Sequence, residues 1–469
     1  MPDSPVPRST RPRAVVLGAG AAGLFAAAAL AESADVTLVE RDVLPEGPEP
    51  RRGVPQARHA HLVWSGGVRA MDALLPGLSA DVVSRGGRLA RIMADMVSRA
   101  PNEIWFRRFL ATHHRNLICS RDLLDSVIRD HVLKDERVTL LQDTTAAGPE
   151  GDAGRVTGVR VRTGEEAERV LAADLVVDAT GRGSRAPEWL TGLGLDRVAE
   201  RKVDSGLTYA TRVFRAPGRA ADGDFPLVNV QANPARPPGR AGIVLPVEGG
   251  RWMVTLAGTR GGEPTADPDA FVPFALGLAD PVIGELLRDA EPLGEVTVTR
   301  ATANRRRYFE KLKRWPDGFL VLGDAAAGYN PVYGHGLTVA AQSALLLREA
   351  LRRLPLGAPG TARALQRVTA APIGGAWDLA VGQDAFYPGA ADSPPTAAER
   401  LLARFVDRAV ATGARNPRAM GALLDVMSME RPPTRLFSAD MLIPMLFGPR
   451  KPHLAGPPLT DAERAAAEG

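Results

Sequence analysis

The stretch Gly18-Ala19-Gly20-Ala21-Ala22-Gly23 decides how this chain begins to fold. It follows an apolar run at residues 14–17 that predicts a buried strand, and it leads into an Ala-rich run that predicts a helix. In that setting the first glycine permits a tight turn, the second lets the backbone approach a pyrophosphate, and the third lets helix and strand pack closely. The helix N-terminus then offers free N–H groups to the phosphate charge. The stretch therefore predicts a dinucleotide-binding unit.

Glu40 strengthens this prediction because it ends the next apolar run, residues 36–39, which predicts a second strand. A carboxylate at this position can accept hydrogen bonds from a ribose hydroxyl. We therefore expect the dinucleotide to contact the following residues of this unit: Gly18, Ala19, Gly20, Ala21, Ala22, Gly23, Glu40 and Arg41.

Two later segments distinguish FAD from NAD. Asp174-Leu175-Val176-Val177-Asp178-Ala179-Thr180-Gly181 resembles the strand and Ala-Thr-Gly turn of two-dinucleotide-type flavoproteins, where the turn passes the adenosine end of FAD. Gly323-Asp324, with Pro331-Val332-Tyr333-Gly334-His335-Gly336-Leu337 after it, resembles the Gly-Asp motif of flavin hydroxylases. In those enzymes the Asp carboxylate binds a ribityl hydroxyl, and the next helix N-terminus directs N–H groups at the flavin pyrimidine ring. The resemblance implies FAD, held here by Thr180, Gly181, Asp324, Pro331, Gly334, His335, Gly336 and Leu337.

Three arginines are candidates for contacts with the cofactor phosphates. Arg121, in Ser120-Arg121-Asp122-Leu123-Leu124, resembles the family's arginine near the FAD phosphates, and its alternative role is a surface helix residue. Arg51 and Arg58 flank Gly53-Val54-Pro55-Gln56-Ala57, a loop that we expect beside the cofactor. Either could pair with the pyrophosphate or close the flavin pocket, and for both the alternative is a solvated surface charge.

Composition and spacing exclude several other classes of protein. The chain has 469 residues and a net charge of +4, without a Lys- and Arg-rich run that has interleaved aromatics, so nucleic acid is not an expected partner. The single cysteine, Cys119, cannot form an intramolecular disulfide and suits a reducing cytoplasm. His59 and His61 lack a third ligand, so we predict no metal site. No apolar run is long enough to span a membrane. The short run at 441–447 is expected to pack in the core, and the alternative is contact with an oily ligand.

The pattern of the sequence changes between the predicted strands of the dinucleotide unit. Alternating residues at 207–213, 252–256 and 296–299 predict an antiparallel sheet with one wet face, and residues 396–428 predict helices. Asp267-Pro268 predicts a helix start, with Asp as N-cap and Pro at the first helical position. The expected fold class is α/β with α+β inserts, built from a glutathione-reductase-type Rossmann FAD domain, an antiparallel-sheet substrate domain and C-terminal helices. We assign the FAD domain to residues 1–85, 115–200 and 301–390, the substrate domain to 86–114 and 201–300, and the helical segment with a loose tail to 391–469.

One segment points to a narrower family. Arg51-Arg52-Gly53-Val54-Pro55-Gln56-Ala57-Arg58-His59-Ala60-His61, continued by Leu62-Val63-Trp64-Ser65-Gly66-Gly67, resembles the flavin epoxidases of polyether-antibiotic biosynthesis, of the lasalocid and monensin type. Val203-Asp204-Ser205-Gly206 and Asn330-Pro331-Val332-Tyr333-Gly334-His335-Gly336 agree with it, and the resemblance covers about residues 13–390. It implies a fold like the para-hydroxybenzoate hydroxylase group and epoxidation of carbon–carbon double bonds in a linear polyene polyketide.

The implied mechanism needs few catalytic side chains. Reduced flavin and oxygen form a C4a-hydroperoxide, which an alkene attacks without being deprotonated, so positioning and a dry cavity matter more than an acid–base pair. We therefore assign no catalytic side chain. The sequence has no second Gly-rich dinucleotide motif, so NAD(P)H would bind transiently or a separate flavin reductase would supply reduced flavin. The candidates for the apolar substrate pocket are Trp64, Tyr209, Trp252, Tyr329 and Phe386, and the alternative for each is a position in the core.

Two other reactions stay open at this point. A FAD-dependent hydroxylase of an aromatic polyketide would need a base above the flavin to deprotonate a phenol. A flavin prenyl reductase or dehydrogenase would work without oxygen. A flavin halogenase is not indicated, because the sequence has neither the Trp-x-Trp-x-Ile-Pro segment usual in that class nor a lysine in a matching place.

Overall fold

A five-stranded parallel sheet forms the centre of the computed structural model, which describes residues 11–110, 113–448 and 450–468. All four neighbouring strand pairs in this sheet run parallel, as expected for strands that are buried on both faces. Its strands come from the beginning, the middle and the region near residue 320, so the sheet is built from separated parts of the chain. In spatial order the strands are Phe319–Val321, Leu175–Asp178, Arg13–Leu17, Asp35–Val39 and Val138–Leu141.

Two glycines explain why the first strand can turn so tightly into the first helix, Ala21–Ala31. Gly18 has a φ of +93°, and a Cβ there would lie 2.8 Å from the Ala179 carbonyl oxygen. A Cβ on Gly23 would lie 1.8 Å from the Gly18 carbonyl oxygen, so helix and turn approach too closely for any side chain. The predicted Gly-rich turn between strand and helix is confirmed.

Several smaller sheets surround the parallel sheet. A three-stranded antiparallel meander follows the strand Val138–Leu141 in the chain, and there are two further three-stranded sheets. The meander comprises Thr144–Gly151, Val156–Thr163 and Arg169–Ala172; the second sheet comprises Glu200–Val203, Asn304–Arg307 and Ala327–Gly328; the third comprises Leu62–Val63, Arg115–Ile118 and Arg88–Arg91.

A seven-stranded sheet forms the second layer, and all its strand pairs are antiparallel except the pair at the Met96–Arg99 edge. Side chains alternate along its strands, so Val254 and Leu256 pack under the helix Pro268–Leu276, whereas Thr255 and Ala257 face the opposite side. Its strands are Glu291–Pro292, Thr208–Arg215, Arg251–Gly258, Arg240–Val247, Leu227–Val230 and Met96–Arg99, and Thr297–Thr299 also pairs with Thr208–Arg215.

The same alternation corrects the prediction for Trp252. Its side chain is fully buried on the helix-covered face, where its ring lies 4.9 Å from that of Phe225. Because neighbouring residues in a strand point to opposite faces, Met253 and Thr255 occupy the other side instead. Trp252 is therefore a core residue and not part of a substrate pocket.

Helices cover both layers, and the last ones pack against the free face of the large sheet. Asp267 caps the helix Pro268–Leu276 with proline in its first turn, as the sequence predicts. No helix among the described residues combines the length and apolar character needed to span a bilayer. The helices are Ala21–Ala31, Ser65–Leu74, Leu78–Ser84, Arg121–Leu133, Ala186–Gly192, Pro268–Leu276, Val282–Leu286, Gly336–Leu351, Thr361–Thr369, Ala371–Asp384, Ala397–Gly413, Pro417–Met427, Ala439–Phe447 and Asp461–Ala466.

The end of the chain is docked, which corrects the expectation of a loose tail. Thr460 and Glu463 form a capping box at the start of the helix Asp461–Ala466. Glu463 also accepts hydrogen bonds from Arg108, and Leu459 is buried among residues of the large sheet. The tail therefore gains fixed contacts that composition alone did not indicate. The mixed α/β class, with a parallel sheet, antiparallel sheets and C-terminal helices, is confirmed, while the residue-by-residue domain division stays a prediction.

Candidate functional site

A connected cavity of about 1690 Å³ runs from the Gly-rich turn, across the face of the large antiparallel sheet, to the C-terminal helices. One end is lined by backbone turns and charged side chains, and the other end is lined mainly by apolar side chains. Most of the sequence-predicted site residues line this cavity: Gly18, Gly20, Ala21, Ala22, Glu40, Arg41, Arg51, Arg121, Thr180, Gly181, Asp324, Pro331, Gly334, His335, Gly336, Leu337, Trp64, Tyr209, Tyr329 and Phe386.

The polar end contains a buried ion pair next to the Gly-rich turn. Arg51 Nη2 lies 3.0 Å from Glu40 Oε2, and Arg51 Nη1 donates to the Ala19 carbonyl oxygen at 2.7 Å. Glu40 also accepts the Ala19 N–H at 2.8 Å, so the carboxylate and the guanidinium together hold the backbone of the turn. Ala19 itself is fully buried behind this arrangement, and Gly23 packs on Gly18, so neither residue lines the cavity.

The other predicted arginines divide into two groups. Arg121 is buried at the cavity wall at the start of the helix Arg121–Leu133, and its Nε donates to Asp125 at 2.7 Å. The alternative of a surface helix residue is therefore wrong for Arg121. Arg41 lines the cavity with an exposed side chain, whereas Arg58 is exposed and does not line it. The short helical turn Pro55–Arg58 accounts for this, because it directs the buried Ala57 inward and Arg58 outward.

Arg182 is a site residue that sequence reasoning missed. It follows the predicted turn residues Thr180 and Gly181, and its Nε lies 3.5 Å from Asp324 Oδ2. Its guanidinium also donates to the carbonyl oxygens of Ala303 and Tyr329. Burial raises the pKa of the Asp324 carboxyl, and the nearby Arg182 charge opposes that shift. No pattern marked Arg182, because its partners come from remote loops.

A buried carboxylate, Asp384, fixes the turn that precedes the second cavity helix, Gly336–Leu351. It accepts hydrogen bonds from Tyr333 Oη at 2.7 Å, Asn330 Nδ2 at 2.8 Å and Asn304 Nδ2 at 2.7 Å. Burial raises the pKa of this carboxyl, while its hydrogen-bond donors oppose that shift. The predicted residues Pro331 and Gly334 are therefore held by a network that the sequence did not reveal.

His335 and Trp64 lie side by side at the N-terminus of the helix Gly336–Leu351, with ring centroids 6.1 Å apart. His335 Nε2 donates to the Met427 carbonyl oxygen at 3.0 Å, and Trp64 Nε1 donates to the Tyr333 carbonyl oxygen at 2.9 Å. Burial lowers the pKa of His335 to about 4, so its ring is neutral near pH 7. Both side chains therefore connect the start of this helix to neighbouring segments through hydrogen bonds. The free N–H groups of the first helical turn remain directed at the cavity.

The polar end fits the diphosphate and sugars of FAD. A Cβ placed on Gly20, Gly181 or Gly336 would meet no protein atom within 4 Å, so these backbones border open space. Buried Arg51 Nε has no hydrogen-bond partner among the described residues. Two helix N-termini, beginning at Ala21 and Gly336, border the same space, and helix N-termini favour anions. The residues present are therefore able to hold FAD.

The apolar end is formed by two layers that the sequence places far apart. Ile243 and Ala257 contribute from the large sheet, and Leu423, Val426 and other residues contribute from the helix Pro417–Met427. Tyr209 and Tyr329 are buried at the boundary with the polar end, and Phe386 is half-buried there. The region after residue 391 thus supplies one wall of the cavity.

His59 faces this cavity at the end of a hydrogen-bonded chain. The Ala60 N–H donates to Thr255 Oγ1 at 2.9 Å, Thr255 and Thr211 hydroxyls lie 2.6 Å apart, and Thr211 Oγ1 lies 2.7 Å from His59 Nδ1. Each hydroxyl can donate one hydrogen bond and accept two, so the direction of these two contacts follows the tautomer of His59. His59 Nε2 has no hydrogen-bond partner among the described residues. Burial lowers the pKa of His59 to about 4.

A second group of histidines and carboxylates lies outside the cavity. His113, His114, Asp425 and Glu430 place one possible ligand atom each within 4.8 Å of one another. The carboxylates already have cationic partners, because Arg435 pairs with Asp425 and Arg69 pairs with Glu430. Within the described part of the chain, these contacts link the segment before Arg115–Ile118 to the C-terminal helices.

Comparisons with known proteins agree with this geometry. The family model described as FAD dependent oxidoreductase matches residues 14–188. Protein Rv3254 of Mycobacterium tuberculosis is 34% identical over 424 residues, which cover 84% of this chain and 89% of that protein. Kynurenine 3-monooxygenase of Salinispora tropica is 27% identical over 369 residues, 74% of each chain. The flavin-dependent brominase Bmp2 superposes with a TM-score of 0.66 at 14% identity, covering 92% of this chain and 97% of that one.

Proposed function

The chain belongs to the FAD-dependent oxidoreductase and monooxygenase family, of the para-hydroxybenzoate-hydroxylase-like type, and from that premise we propose that it epoxidises carbon–carbon double bonds of a linear polyene polyketide. FAD, when bound and reduced, supplies oxygen activated for transfer to an electron-rich double bond. The protein then has to hold the cofactor, position the alkene and exclude water.

The size and lining of the cavity are the observation that carries this proposal. Its volume of about 1690 Å³ exceeds the roughly 300–1,000 Å³ of an ordinary ligand pocket. Space therefore remains beside a bound cofactor for an extended ligand. The walls of that space are Ile243 and Ala257 on one side and Leu423 and Val426 on the other, which suit a long hydrocarbon.

The ionisation of the cavity histidines also favours an alkene over a phenol. Burial lowers the pKa of His59, His61 and His335 to about 4, so each is a weak base. A phenol would have to lose its proton before attack, and a weak base assists that step poorly. An alkene has no proton to lose, so the neutral rings do not hinder its reaction.

The chain's own residues divide the remaining tasks. Arg51 and Arg121 supply positive charge at the polar end, and Asp324 supplies a carboxylate beyond them. The N-terminus of Gly336–Leu351 presents N–H groups where negative charge on a reduced flavin would be stabilised. The C-terminal helices cover the apolar end and keep water from the reacting centre. The proposal includes transient binding of NAD(P)H, or a separate flavin reductase, as the source of electrons.

A product analysis tests the proposal. The holoprotein is incubated with FAD, NADPH, isotopically labelled oxygen and candidate linear polyenes, with and without a flavin reductase, and products are analysed by mass spectrometry. We expect one labelled oxygen atom per alkene consumed. Turnover without oxygen, or a product of unchanged oxygen content, contradicts the proposal and favours a prenyl reductase or dehydrogenase.

Aromatic hydroxylation is the second candidate, because Tyr209 and His59 lie at the cavity with ring centroids 5.7 Å apart. Each of these rings offers a face on which a flat aromatic polyketide can stack. The same incubation with phenolic substrates separates the two candidates. Labelled oxygen on an aromatic ring, with no epoxide formed from any polyene, would favour the hydroxylase.

A further inference from the structure

Six large apolar side chains are exposed together on the C-terminal helices. They are Leu401, Leu402, Phe437, Ile443, Leu446 and Phe447, and we call them the apolar cap. Phe447 is 82% exposed, Leu401 is 69% exposed and Leu446 is 65% exposed. Monomeric soluble proteins seldom expose grouped apolar side chains of this size without a binding role.

The helix Ala439–Phe447 shows why the cap is exposed. Met441, Pro444 and Met445 face the protein and are buried. These three side chains anchor the helix to the protein, so its remaining apolar residues are not needed for packing. The outer face of such a helix is ordinarily polar, but here it carries Ile443, Leu446 and Phe447. The apolar run at 441–447 was expected to pack in the core, and that expectation is right for only half of it.

The parts of the cap are neighbours and reach the mouth of the cavity. Phe437 stacks on Phe405 of the helix Ala397–Gly413 with ring centroids 4.8 Å apart. Arg408 of the same helix donates to the Met445 carbonyl oxygen, so the two cap-bearing helices are in contact. Leu402 and Phe437 also line the cavity. An apolar surface thus continues from the outside of the protein into the cavity.

The segment that carries the cap also has an excess of positive charge. Residues 397–451 contain nine arginines and lysines against five aspartates and glutamates, an excess equal to the net charge of +4 of the whole chain. Arg400, Arg404 and Arg408 lie exposed on the first cap helix, and Arg450 and Lys451 follow the second. Protruding Leu, Ile and Phe side chains flanked by Arg and Lys are typical of helices that lie in the interface of a bilayer.

We propose that the apolar cap docks this protein on the surface of a bilayer that contains anionic lipids. Leu446 and Phe447 enter the boundary between headgroups and acyl chains, and the flanking arginines and lysines contact lipid phosphates. The side chains protrude from the outer face of the helix Ala439–Phe447 and are exposed, which suits a deformable lipid surface. The cavity mouth then opens toward the bilayer, so an apolar substrate can enter without crossing water. The docking itself does not depend on the epoxidation proposed above.

Vesicle sedimentation of the full-length holoprotein tests this proposal. The probes are phosphatidylcholine vesicles with and without phosphatidylglycerol, at low and high salt. We expect the protein to bind the anionic vesicles and salt to weaken this binding. The variant Ile443→Ser/Leu446→Ser/Phe447→Ser should lower the partition coefficient at least about tenfold, because it removes three apolar side chains that enter the bilayer. Arg450→Gln/Lys451→Gln should lower it about tenfold on anionic vesicles only.

A matched variant controls for general loss of apolar surface. Val43→Ser/Val170→Ser/Leu293→Ser removes three exposed apolar side chains outside the cap, and it should bind vesicles like the wild type. Circular dichroism and the flavin absorbance verify that every variant is folded. The proposal is overturned if the wild type does not bind vesicles, or if the cap variant binds equally well. A cap-dependent dimer in light scattering without vesicle binding would also overturn it and assign the cap to a second copy of the chain.

Discussion

Arg51 Nη2 lies 3.0 Å from Glu40 Oε2 inside the protein, with both side chains buried. The carboxylate directly follows the strand Asp35–Val39 of the parallel sheet, and the guanidinium comes from the loop after it. Both groups also hold the backbone of Ala19, one through its N–H and one through its carbonyl oxygen. The pair therefore connects the loop to the Gly-rich turn at the polar end of the cavity.

Replacing Arg51 by methionine should weaken both the fold and FAD binding. The substitution leaves the buried Glu40 carboxylate without its cationic partner, and breaking such a pair costs about 3 kcal/mol of the free energy of unfolding. FAD affinity should fall in parallel, measured by titrating apoprotein and following flavin fluorescence. Arg52→Met, at the exposed neighbouring position, is the control and should change neither quantity measurably. Equal behaviour of the two variants would contradict a role for the buried pair.

Alanine at Gly20 should affect FAD binding, whereas alanine at Gly23 should affect the stability of the fold. Gly20 has a φ of −73°, which alanine can adopt, and its Cβ would meet no protein atom within 4 Å. Gly20→Ala should therefore unfold like the wild type but bind FAD at least about tenfold more weakly, because the methyl group occupies cofactor space. Gly23→Ala places a Cβ 1.8 Å from the Gly18 carbonyl oxygen and should instead lower the unfolding temperature. Unchanged FAD affinity in Gly20→Ala would mean that the cofactor does not approach this turn.

The parts of the fold that the sequence predicts well depend on local patterns. The turn at Gly18 and the helix cap at Asp267 follow from residues next to one another, and both are present. The strand from Trp252 to Leu256 was also predicted, but the identity of its inward face was not. Alternation shows that Trp252 and Met253 point apart, and only packing decides which one enters the core under the helix Pro268–Leu276.

Residues of the site that depend on remote contacts could not be predicted in this way. Arg182 pairs with Asp324, which is more than a hundred residues away. Asp384 accepts hydrogen bonds from Asn304, at the start of a strand, and from Asn330, in a separate loop. The C-terminal wall of the cavity depends on how Pro417–Met427 packs on the large sheet. Such contacts arise from tertiary packing. The residues that neighbour either partner in the sequence do not indicate which remote residue it will contact.

Acid should destabilise this protein through its buried histidines, and His335 provides a specific test. Its pKa is lowered to about 4 by burial, whereas the ordinary value in an unfolded chain is 6.5. Between these pH values the unfolded chain binds a proton at this histidine and the folded protein does not. The contribution of neutral His335 to the free energy of unfolding is therefore fully present above about pH 6.5, and it is lost as the pH falls toward 4. Urea unfolding at pH 7 and pH 5 measures this loss.

Between pH 7 and pH 5 the free energy of unfolding should fall by about 2 kcal/mol less in His335→Gln than in the wild type, because the variant lacks one buried neutral histidine. His453→Gln, at an exposed position, should follow the wild-type pH dependence and serves as the control. If His335→Gln retained the full pH dependence, the histidine would not be buried in neutral form in the folded protein.

The length of substrate that the cavity accepts should depend on the face of the large sheet that carries Ile243 and not on the face that carries Trp252. Ile243→Trp adds a bulky ring to the apolar end of the cavity, so KM should rise at least about tenfold for the longest polyenes and stay unchanged for short ones. Trp252→Phe leaves a void in the core on the opposite face and should lower the free energy of unfolding by about 1–3 kcal/mol without altering that length preference. Rates with a series of alkenes of increasing length, together with urea unfolding of both variants, separate these effects. A shift in length preference in Trp252→Phe would show that substrate lies on the helix-covered face and would contradict the position assigned to the substrate here.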